Sequence, residues 1–502
     1  MSIPHVDLDS YLIDGKAIEL VPESLARRYQ LIPLFKIDNT LTVAMADPHN
    51  ILALDEVRLK TGCEVEPVVS TDIQIKRAID QYYGVSGSIE EIVKEFAEEA
   101  PEPLGAEEAP AIKLLNLIIG QAIRDGVSDI HLEPDEESLQ TRYRIDGVLH
   151  EVSSLPKNVQ SAVISRIKVM GNMDIAQSRA PQDGRSQIEM EGKKIELRIS
   201  TFPTIYGENV VLRILDQSSA LMGLEELGFS KDAIMHYETL IKRPHGIILV
   251  TGPTGSGKTT TLYASLNKIR SPEKNIITIE DPVEYRLNLI RQTQINPKAG
   301  VTFATAIRSV LRQDPDIIMV GEIRDLETAE TAIRAALTGH LVFSTLHTND
   351  APGALTRLMD MGVEPYLLSS SVIGVLAQRL VRTICPKCKE RYKPEDRIVK
   401  TLGVGNVKDL VFYQGKGCKN CWQTGYRGRV ALIELLIVND PIRDLISQRA
   451  PSRMIRKVAR ETQEMKNLRE DCVDKVLKGI TTLNELAKAS FEYDSEKTPS
   501  AT

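Results

Sequence analysis

Long hydrophobic runs are missing from this sequence. Nowhere in its 502 residues do about 18 apolar residues follow one another, the length that a helix needs to cross a bilayer. The first residues, MSIPHVDLDSYLIDG, have neither the basic start nor the apolar stretch of a secretory signal. These absences argue against an integral membrane protein and a secreted one, and they predict a cytoplasmic location.

An excess of positive charge is also missing, and cysteine is scarce. The formal net charge is −7, which argues against broad contact with nucleic acid, because that contact needs a basic face. Only six cysteines are present, and their positions matter more than their number. Cys63 and Cys472 stand alone and are expected to be small buried residues, whereas the other four form two C-x-x-C pairs.

The chain is long, and one segment of it differs from the rest in amino-acid composition. A chain of 502 residues exceeds what one hydrophobic core holds, so several domains are expected. Residues 86–110 are rich in glutamate, proline and glycine, which predicts an acidic linker. The linker separates residues 1–85, with a strand pattern in LTVAMADPHN and a helix pattern in TDIQIKRAIDQYYG, from the larger body. Residues 491–502 are expected to form a disordered tail.

A glycine-rich turn, GPTGSGKT, follows the apolar stretch from Ile247 to Val250 and precedes apolar residues at helical spacing. Phosphate-binding loops require this order of strand, turn and helix. Glycines let backbone N–H groups converge on phosphate oxygens, the lysine reaches the β- and γ-phosphates, and the next threonine offers its hydroxyl to Mg²⁺. The alternative is a glycine-rich turn that binds nothing. The expected ATP-binding residues are Gly252, Pro253, Thr254, Gly255, Ser256, Gly257, Lys258, Thr259 and Thr260.

Acidic residues follow two later strand patterns. Glu280 comes at the end of NIITIE, and Glu322 follows DPDIIMVG. Hydrolysis needs one carboxylate on the metal side and one that orients the attacking water. We assign Glu280 as the base and Glu322 as the metal-side acid, with the reverse assignment as the alternative; either could instead be a strand-end acid that caps a helix. A third strand pattern, HLVFSTLH, runs from His340 to His347, and each histidine is either a γ-phosphate sensor or a structural hydrogen bonder.

Helix patterns lie between these strands. One follows Thr302, a candidate N-cap, and a second stops at Gly339. Strand and helix therefore alternate from residue 246 onward. This alternation predicts an α/β fold in which a parallel sheet with right-handed crossovers forms a P-loop nucleotide-motor core.

The two C-x-x-C pairs are CPKC and CKNC. Four thiolates in two chelating pairs match a closed tetrahedral site for structural Zn²⁺, and nearby lysines favour the thiolate form. A redox-active pair is the alternative, although it would place one pair at a helix start rather than two pairs in loops. The predicted zinc ligands are Cys385, Cys388, Cys418 and Cys421.

These segments resemble those of the secretion ATPases that drive type II secretion and type IV pilus assembly. GPTGSGKT matches the family's Walker A loop, ITIEDPVEY its aspartate box, LRQDPDIIMVGEIRD its Walker B signature and TGHLVFSTLHTND its histidine box. The Walker B signature is long and specific. The resemblance covers residues 110–490 and, more loosely, residues 1–85.

The resemblance implies a RecA-like ATPase core and a homo-hexamer at the cytoplasmic side of the inner membrane. Such a motor drives a platform protein and, indirectly, extracts pilins or pseudopilins from the membrane. A cysteine module of this kind occurs in the family's assembly members, so the resemblance favours assembly over retraction. The expected regions are 1–85 (docking domain), 86–110 (linker), 111–220 (arginine-supplying α+β domain), 221–380 (ATPase core), 381–430 (zinc module), 431–490 (helical region) and 491–502 (tail).

In the family, the domain before the core supplies arginines to the nucleotide. KKIELRIS and NVVLRIL alternate apolar and polar residues, and turn residues lie between them, so we expect a hairpin with Arg198 and Arg213 exposed. A guanidinium at the γ-phosphate offsets charge in the transition state. A solvated arginine ladder is the alternative. Arg142 and Arg144 alternate in the same way, without an assigned role.

Some members of the family carry an N-terminal R-L-G motif and bind cyclic-di-GMP. The sequence contains no R-L-G-x-x-L segment, so we expect no binding of cyclic-di-GMP. Other functions stay open beside the assembly motor. A retraction motor is disfavoured by the cysteine pairs, a nucleic-acid translocase by the acidic charge, and a non-hydrolysing scaffold by the presence of Lys258, Glu280 and Glu322.

Overall fold

The computed structural model describes residues 4–6, 8, 13–18, 20–82, 108–190, 192–216, 222–394 and 410–494. Two compact units divide the chain, Met1–Leu215 and Asp216–Thr502. Most of the expected linker and most of the expected tail lie outside the described residues. Among the described helices, none is both long and apolar enough to cross a membrane.

The N-terminal part of the first unit is a small α/β domain. The strand and the helix predicted in it are confirmed as β2 and α4. Its three-stranded sheet has the order β1-β2-β3, with β1 antiparallel to β2 and β2 parallel to β3. Cys63 is buried in its core, as expected. The elements are α1 (Gly15–Ile18), α2 (Glu23–Tyr29), β1 (Leu31–Ile37), β2 (Thr40–Met45), α3 (Ile51–Thr61), β3 (Glu64–Val69) and α4 (Asp72–Tyr82).

The rest of the first unit is built on a six-stranded sheet with the order β6-β5-β4-β9-β8-β7. The expected hairpin is confirmed, because β8 and β9 are neighbours. One face is apolar, and the buried Tyr143 on β5 donates its hydroxyl proton to the carbonyl oxygen of Ile118 on α5 at 2.5 Å. The elements are α5 (Glu108–Asp125), β4 (Asp129–Pro134), β5 (Ser138–Ile145), β6 (Val148–Pro156), α6 (Gln160–Met170), β7 (Gln182–Met190), β8 (Lys193–Thr204) and β9 (Gly207–Asp216).

The second unit contains the predicted nucleotide-motor sheet. Its seven strands have the order β12-β11-β13-β14-β10-β15-β18, in which β18 is Tyr426–Ile437, and every pair is parallel except β15 with β18. The elements up to the end of β15 are α7 (Lys231–Ile241), β10 (Gly246–Thr251), α8 (Lys258–Ile269), β11 (Ile276–Glu280), β12 (Ile290–Gln294), α9 (Phe303–Val310), β13 (Ile317–Val320), α10 (Leu326–Leu337), β14 (Leu341–Leu346), α11 (Ala351–Asp360), α12 (Pro365–Ser371) and β15 (Val372–Ile384).

Strand β10 is buried along its whole length because helices cover both faces of the sheet. Ile247 and Leu249 belong to one hydrophobic core, whereas Ile248 and Val250 belong to the core on the opposite face. Alternate side chains of a strand point to opposite faces, so an apolar run was needed to fill both cores. The continuous apolar pattern of the sequence is therefore explained.

The predicted helix ends are confirmed. Thr302 caps α9 in a capping box, in which its hydroxyl accepts from the backbone N–H of Thr305. Helix α10 stops shortly before Gly339, whose φ of 105° lies in the left-handed region. Strand and helix thus alternate as the sequence indicated, and the carboxyl ends of β11, β13, β14 and β10 meet at one edge of the sheet.

The cysteine pairs lie on loops attached to the same sheet. Strand β15 runs through the expected boundary at residue 380 and ends just before Cys385. Helices follow β18, as predicted for the C-terminal region, and the last helix continues four residues into the segment expected as tail. Cys472 is buried in an apolar cluster, as expected. The remaining elements are β16 (Lys389–Tyr392), β17 (Phe412–Gly415), β18 (Tyr426–Ile437), α13 (Asp440–Ser447), α14 (Ser452–Gln463), α15 (Leu468–Leu477) and α16 (Leu483–Asp494).

Candidate nucleotide and metal sites

The glycine-rich turn wraps closely around strand β15. Gly252 has a φ of 146°, and a Cβ atom there would lie 2.3 Å from the carbonyl oxygen of Gln378. Gly257 has a φ of 87°, and a Cβ atom there would lie 2.8 Å from Nε2 of Gln378. At Gly252 a side chain would collide with backbone, and at Gly257 the left-handed φ strains any residue that carries a side chain. Glycine is therefore required at both ends of the turn.

Helix α8 begins in a way that leaves room for an anion. Its N-cap is Gly257, and no side chain caps its first turn. The hydroxyl of Ser256 is buried and has no hydrogen-bond partner among the described residues. Uncapped N–H groups at a helix start and a buried unpartnered hydroxyl fit the phosphate oxygens that such a loop binds.

Lys258 lies folded across the turn. Its Nζ donates to the carbonyl oxygens of Gly252 at 2.8 Å and Pro253 at 3.0 Å. Burial lowers the pKa of Lys258, and the negative charge of Glu322 opposes that shift. The ammonium group is thus held inside the turn, and it interacts electrostatically with Glu322, which follows β13, two strands away from β10 in the sheet.

Glu322 lies between two basic side chains. Arg324 forms an ion pair with its Oε1 atom, and Nε2 of His347 lies 3.5 Å from its Oε2 atom. The Glu322 side chain is 16% exposed. The structure therefore brings together Lys258, Glu322 and His347, three of the residues that the sequence indicated.

Glu280 has a different environment. It is 3% exposed, and it accepts hydrogen bonds from the hydroxyls of Tyr263 and Thr278 and from Nε2 of Gln292. Burial raises the pKa of Glu280, while these hydrogen bonds act in the opposite direction. A water-orienting base needs a lone pair that faces the substrate. The geometry of Glu280 suits a carboxylate that organises the core better than it suits a base.

Two further carboxylates lie in the same segment. Asp281 is exposed and Glu284 is partly exposed, and the backbone N–H of Glu284 donates to the Tyr263 hydroxyl at 3.3 Å. Sequence reasoning selected the acid nearest to the strand and did not consider Glu284. The motif EDPVE carried the signal, because it contains three acids within five residues.

Residues 348–350, which follow β14, contact three other elements, namely β10, β15 and α14. The hydroxyls of Thr348 and Thr251 lie 2.8 Å apart, and Asn349 accepts from Arg379 at 3.3 Å. Asp350 forms an ion pair with Arg456 of α14. His340, at the other end of β14, has its Nδ1 atom 2.8 Å from the carbonyl oxygen of Ala335, which fits the structural alternative for this histidine.

Glu434 on β18 is fully buried under this segment. Its Oε1 atom accepts from the backbone N–H of Ala351 at 2.8 Å, and its Oε2 atom has no hydrogen-bond partner among the described residues. Burial, reinforced by the charge of Asp350, raises the pKa of Glu434 from 4.5 to about 7. The folded protein therefore holds this group protonated at mildly acidic pH.

We predict that Glu434→Gln stabilises the protein at pH 8. Since the folded pKa is raised, the stability contribution of the neutral acid is complete below pH 4.5 and is lost between pH 4.5 and about 7. This pKa shift corresponds to about 3 kcal/mol of folding free energy that the wild type loses at high pH. The amide of glutamine does not ionise, so the variant does not lose it. In thermal melts, Glu434→Gln should have a higher midpoint than wild type at pH 8 and the same midpoint as wild type at pH 5. The exposed substitution Glu461→Gln serves as the control, and an equal gain at both pH values would contradict the prediction.

The arginines of the first unit differ in exposure. Arg213 is 61% exposed, and its Nε donates to Oδ1 of Asp129 at 2.8 Å. Arg198 is only 18% exposed, with its Nε atom 4.0 Å from Glu196. The expectation of an exposed side chain is thus confirmed for Arg213 and wrong for Arg198, which lies opposite Arg185 in the middle of a sheet face.

The four cysteines form one cluster, with all Sγ atoms within 4.8 Å of one another. Individual Sγ–Sγ distances are 3.9 Å for Cys385 with Cys418, 3.8 Å for Cys388 with Cys421 and 3.6 Å for Cys418 with Cys421. A tetrahedral zinc ion with Zn–S bonds of about 2.3 Å requires sulfur atoms about 3.8 Å apart. The residues therefore fit this metal.

Two protein families match the sequence. The type II/IV secretion system protein family matches residues 105–488, and the MshEN domain matches residues 1–89. Together they cover both the nucleotide-motor core and the small N-terminal domain. The expected lack of cyclic-di-GMP binding stays a prediction.

Two relatives illustrate the match along the chain. The type IV pilus assembly ATPase PilB of Thermus thermophilus is 47% identical over 504 residues, which cover 98% of this chain and 56% of that protein. The type II secretion system ATPase E of Vibrio cholerae is 44% identical over 495 residues, which cover 95% of this chain and 98% of that protein. The chain thus spans little more than half of the first relative and nearly all of the second.

Solved structures agree with this assignment. The pilus retraction motor PilT with bound ADP has a TM-score of 0.52 and 29% identity, and the match covers 77% of this chain and 99% of that one. The DotB ATPase of Legionella pneumophila, at 20% identity and a TM-score of 0.57, shares the fold over 79% of this chain and 98% of its own. The predicted α/β fold class, with a RecA-like P-loop core, is confirmed. The chain therefore belongs to the type II/IV secretion system protein family, together with the ATPases of type IV pilus assembly and type II secretion.

Proposed function

We propose that this protein is an ATP-hydrolysing motor that assembles a type IV pilus or a type II secretion pseudopilus. The observation that carries the proposal is the meeting of the phosphate loop, the acidic segment Glu280–Glu284, Glu322 and His347 at one edge of a parallel sheet. Chemistry at the γ-phosphate needs a cation, a metal-side acid and a water-orienting acid within reach of one another. Relatives named as ATPases of type IV pilus assembly and of type II secretion support assembly rather than retraction of the filament.

The roles of the loop residues follow from their positions. The loop from Gly252 to Gly257 and the first residues of α8 would hold the phosphates, and Lys258 would exchange its two carbonyl contacts for phosphate oxygens. Thr259 and Glu322 would hold Mg²⁺, which neutralises charge on the β- and γ-phosphates. Arg198 and Arg213 are proposed to contact the γ-phosphate, and His347 to sense it.

For the water-orienting acid we revise the preference drawn from the sequence. Glu280 is buried among three hydrogen-bond donors, whereas Glu284 follows it at the same edge and is more exposed. We propose Glu284 as the base and Glu280 as the carboxylate that fixes Tyr263 and the segment around it. Glu322 keeps its proposed place on the metal side.

Phosphate release by three matched glutamine variants tests these roles. We expect Glu322→Gln and Glu284→Gln each to lower the rate by about 100-fold or more, because each loses a charge used in the transition state. Glu280→Gln should lower the rate by less than about tenfold and should also lower the thermal midpoint, because it disturbs a buried hydrogen-bond network. A large rate loss at Glu280 with an unchanged midpoint would restore it as the base.

The same assay separates the competing functions. Equal low rates in wild type and Glu322→Gln would contradict hydrolysis and support a nucleotide-gated scaffold. A rate that rises with duplex DNA would support a translocase instead.

The assembly state and the partners belong to the proposal as well. We propose a homo-hexamer at the cytoplasmic face of the inner membrane that acts on a platform protein, with residues 1–85 as the docking domain. The cluster of four cysteines supports an assembly motor over a retraction motor. Light scattering of the protein with an ATP analogue tests the hexamer, and a monomer at all concentrations would contradict it.

A further inference from the structure

The connection between β14 and α11, residues 347–350, is fixed at both ends. At its first end, the hydroxyl oxygen of Thr251 accepts from the backbone N–H of Thr348 at 2.8 Å, and the two hydroxyl oxygens are also 2.8 Å apart. Thr251 is the last residue of β10 and immediately precedes Gly252 of the phosphate loop. The connection is therefore bonded to the base of the loop directly after His347.

At the other end, two acids hold the start of α11. The first N–H groups of a helix have no partner within the helix itself. Glu434 of β18 accepts from the backbone N–H of Ala351 at 2.8 Å, and Asp350 accepts from the backbone N–H of Gly353 at 2.6 Å. Arg456 of α14 forms an ion pair with the second oxygen of Asp350. Strand β18 and helix α14 therefore set where the connection ends.

The burial of Glu434 is hard to explain by stability alone. Its side chain is 0% exposed, and its Oε2 atom has no hydrogen-bond partner among the residues that the structure describes. A buried acid with an unpaired oxygen stabilises a fold less than an apolar residue of similar size. What Glu434 does supply is an acceptor for one particular N–H group, that of Ala351.

We propose that Glu434, together with Arg456, is a positioning residue of the nucleotide site that holds the connection between β14 and α11 so that His347 faces Glu322. The inference rests on the proposed hydrolysis of ATP at this site. Because both ends of a four-residue connection are bonded, releasing one end lets the residues between them move. A misplaced group beside the γ-phosphate acts mainly on the transition state, so kcat should fall while KM stays nearly unchanged. Residues that only stabilised α11 would affect thermal stability and leave kcat unchanged.

Phosphate release by the full chain over a range of ATP concentrations at pH 6 tests the proposal. At this pH the acid is mostly neutral in the wild type, because burial raises the pKa of Glu434 to about 7, and glutamine reproduces that state. Glu434→Leu removes the acceptor and should lower kcat about tenfold, with KM within about twofold of wild type. Glu434→Gln keeps an acceptor oxygen and should restore most of the rate. Arg456→Met, which leaves Asp350 without this ion pair, should lower kcat in the same way as Glu434→Leu.

The matched control is Gln463→Leu. The side chain of Gln463, on α14, accepts from the backbone N–H of Ile437 on β18 at 2.9 Å, a bond of the same kind and length as that of Glu434. Its loss weakens the attachment of the same strand at a different point. This variant should melt at a lower temperature than wild type and keep the wild-type kcat.

Several results would overturn the inference. Wild-type kcat in both Glu434→Leu and Arg456→Met would remove the positioning role and leave the proposed hydrolysis intact. An equal loss of kcat in Gln463→Leu, or a loss in Glu434→Gln as large as in Glu434→Leu, would show that the bond to Ala351 is not what matters. A wild type that releases no phosphate would contradict the hydrolysis and this inference together. If Glu434→Leu fails to fold in thermal melts, Arg456→Met decides by the same criteria, because its side chain is 22% exposed and its loss disturbs the core less.

Discussion

Lys258→Ala should lower the rate of phosphate release by about 1000-fold. Lys258 is the ammonium group inside the glycine-rich turn, with its Nζ atom within 3.0 Å of two loop carbonyl oxygens. Removing such a charge from a preorganised site costs roughly 4 kcal/mol of transition-state stabilisation. The loss should appear in kcat/KM, measured by phosphate release over a range of ATP concentrations.

The control for this variant is Lys268→Ala. Lys268 lies on the same helix, α8, but pairs with Glu225 and Glu238 at the surface. Losing an exposed ion pair has little effect on stability, so this variant should hydrolyse ATP at the wild-type rate. Both variants should melt within a few degrees of wild type. Hydrolysis that survives Lys258→Ala would contradict the assignment of the loop.

Local patterns explain why the nucleotide-motor core was predictable. The turn GPTGSGKT, the apolar strand before it and the caps at Thr302 and Gly339 each depend on residues within one turn or one strand of each other. Parallel strands then bring their carboxyl ends to one edge without further information. The meeting of Lys258, Glu322 and His347 follows from that rule.

The environment of Glu280 could not be predicted in the same way. Thr278 precedes it on the same strand, but the other two donors, Tyr263 on α8 and Gln292 on β12, reach it only in the tertiary fold. Sequence spacing therefore placed Glu280 at the correct edge and gave no indication that it is enclosed. The burial of Glu434 was not predictable either, because its hydrogen-bond partner is a backbone N–H group 83 residues earlier in the chain.

The hairpin of β8 and β9, which carries Arg198 and Arg213, was predicted only in part. Alternation correctly predicted which face of β8 and β9 is polar, but it did not give the depth of each residue within that face. Arg213 reaches solvent, while Arg198 is flanked by the neighbouring strand β7. The hydrogen bond between Arg213 and Asp129 was not predicted from the sequence, because it depends on the cross-strand register between β4 and β9.

Loss of the cysteine cluster should have the second large effect. We expect about one zinc per chain in protein purified without chelator, and none in Cys388→Ser. Among the described residues, the buried cluster at this site consists of cysteines alone, so little apolar burial holds the two loops together. Without the metal, the thermal midpoint should fall by roughly 10 °C, because structural zinc supplies several kcal/mol of folding free energy.

Hydrolysis should fall as well when the zinc is lost. Strand β15 ends just before Cys385, and at Gln378 it packs against Gly252 and Gly257 of the phosphate loop. Disorder at the end of this strand is therefore expected to loosen the support of the loop. Cys63→Ala is the matched control, because Cys63 is also buried but lies in the first unit, and it should keep both zinc and hydrolysis. Metal analysis that finds no zinc in the wild type would instead favour a redox role for the two pairs, since reduced thiols at these distances can form disulfides.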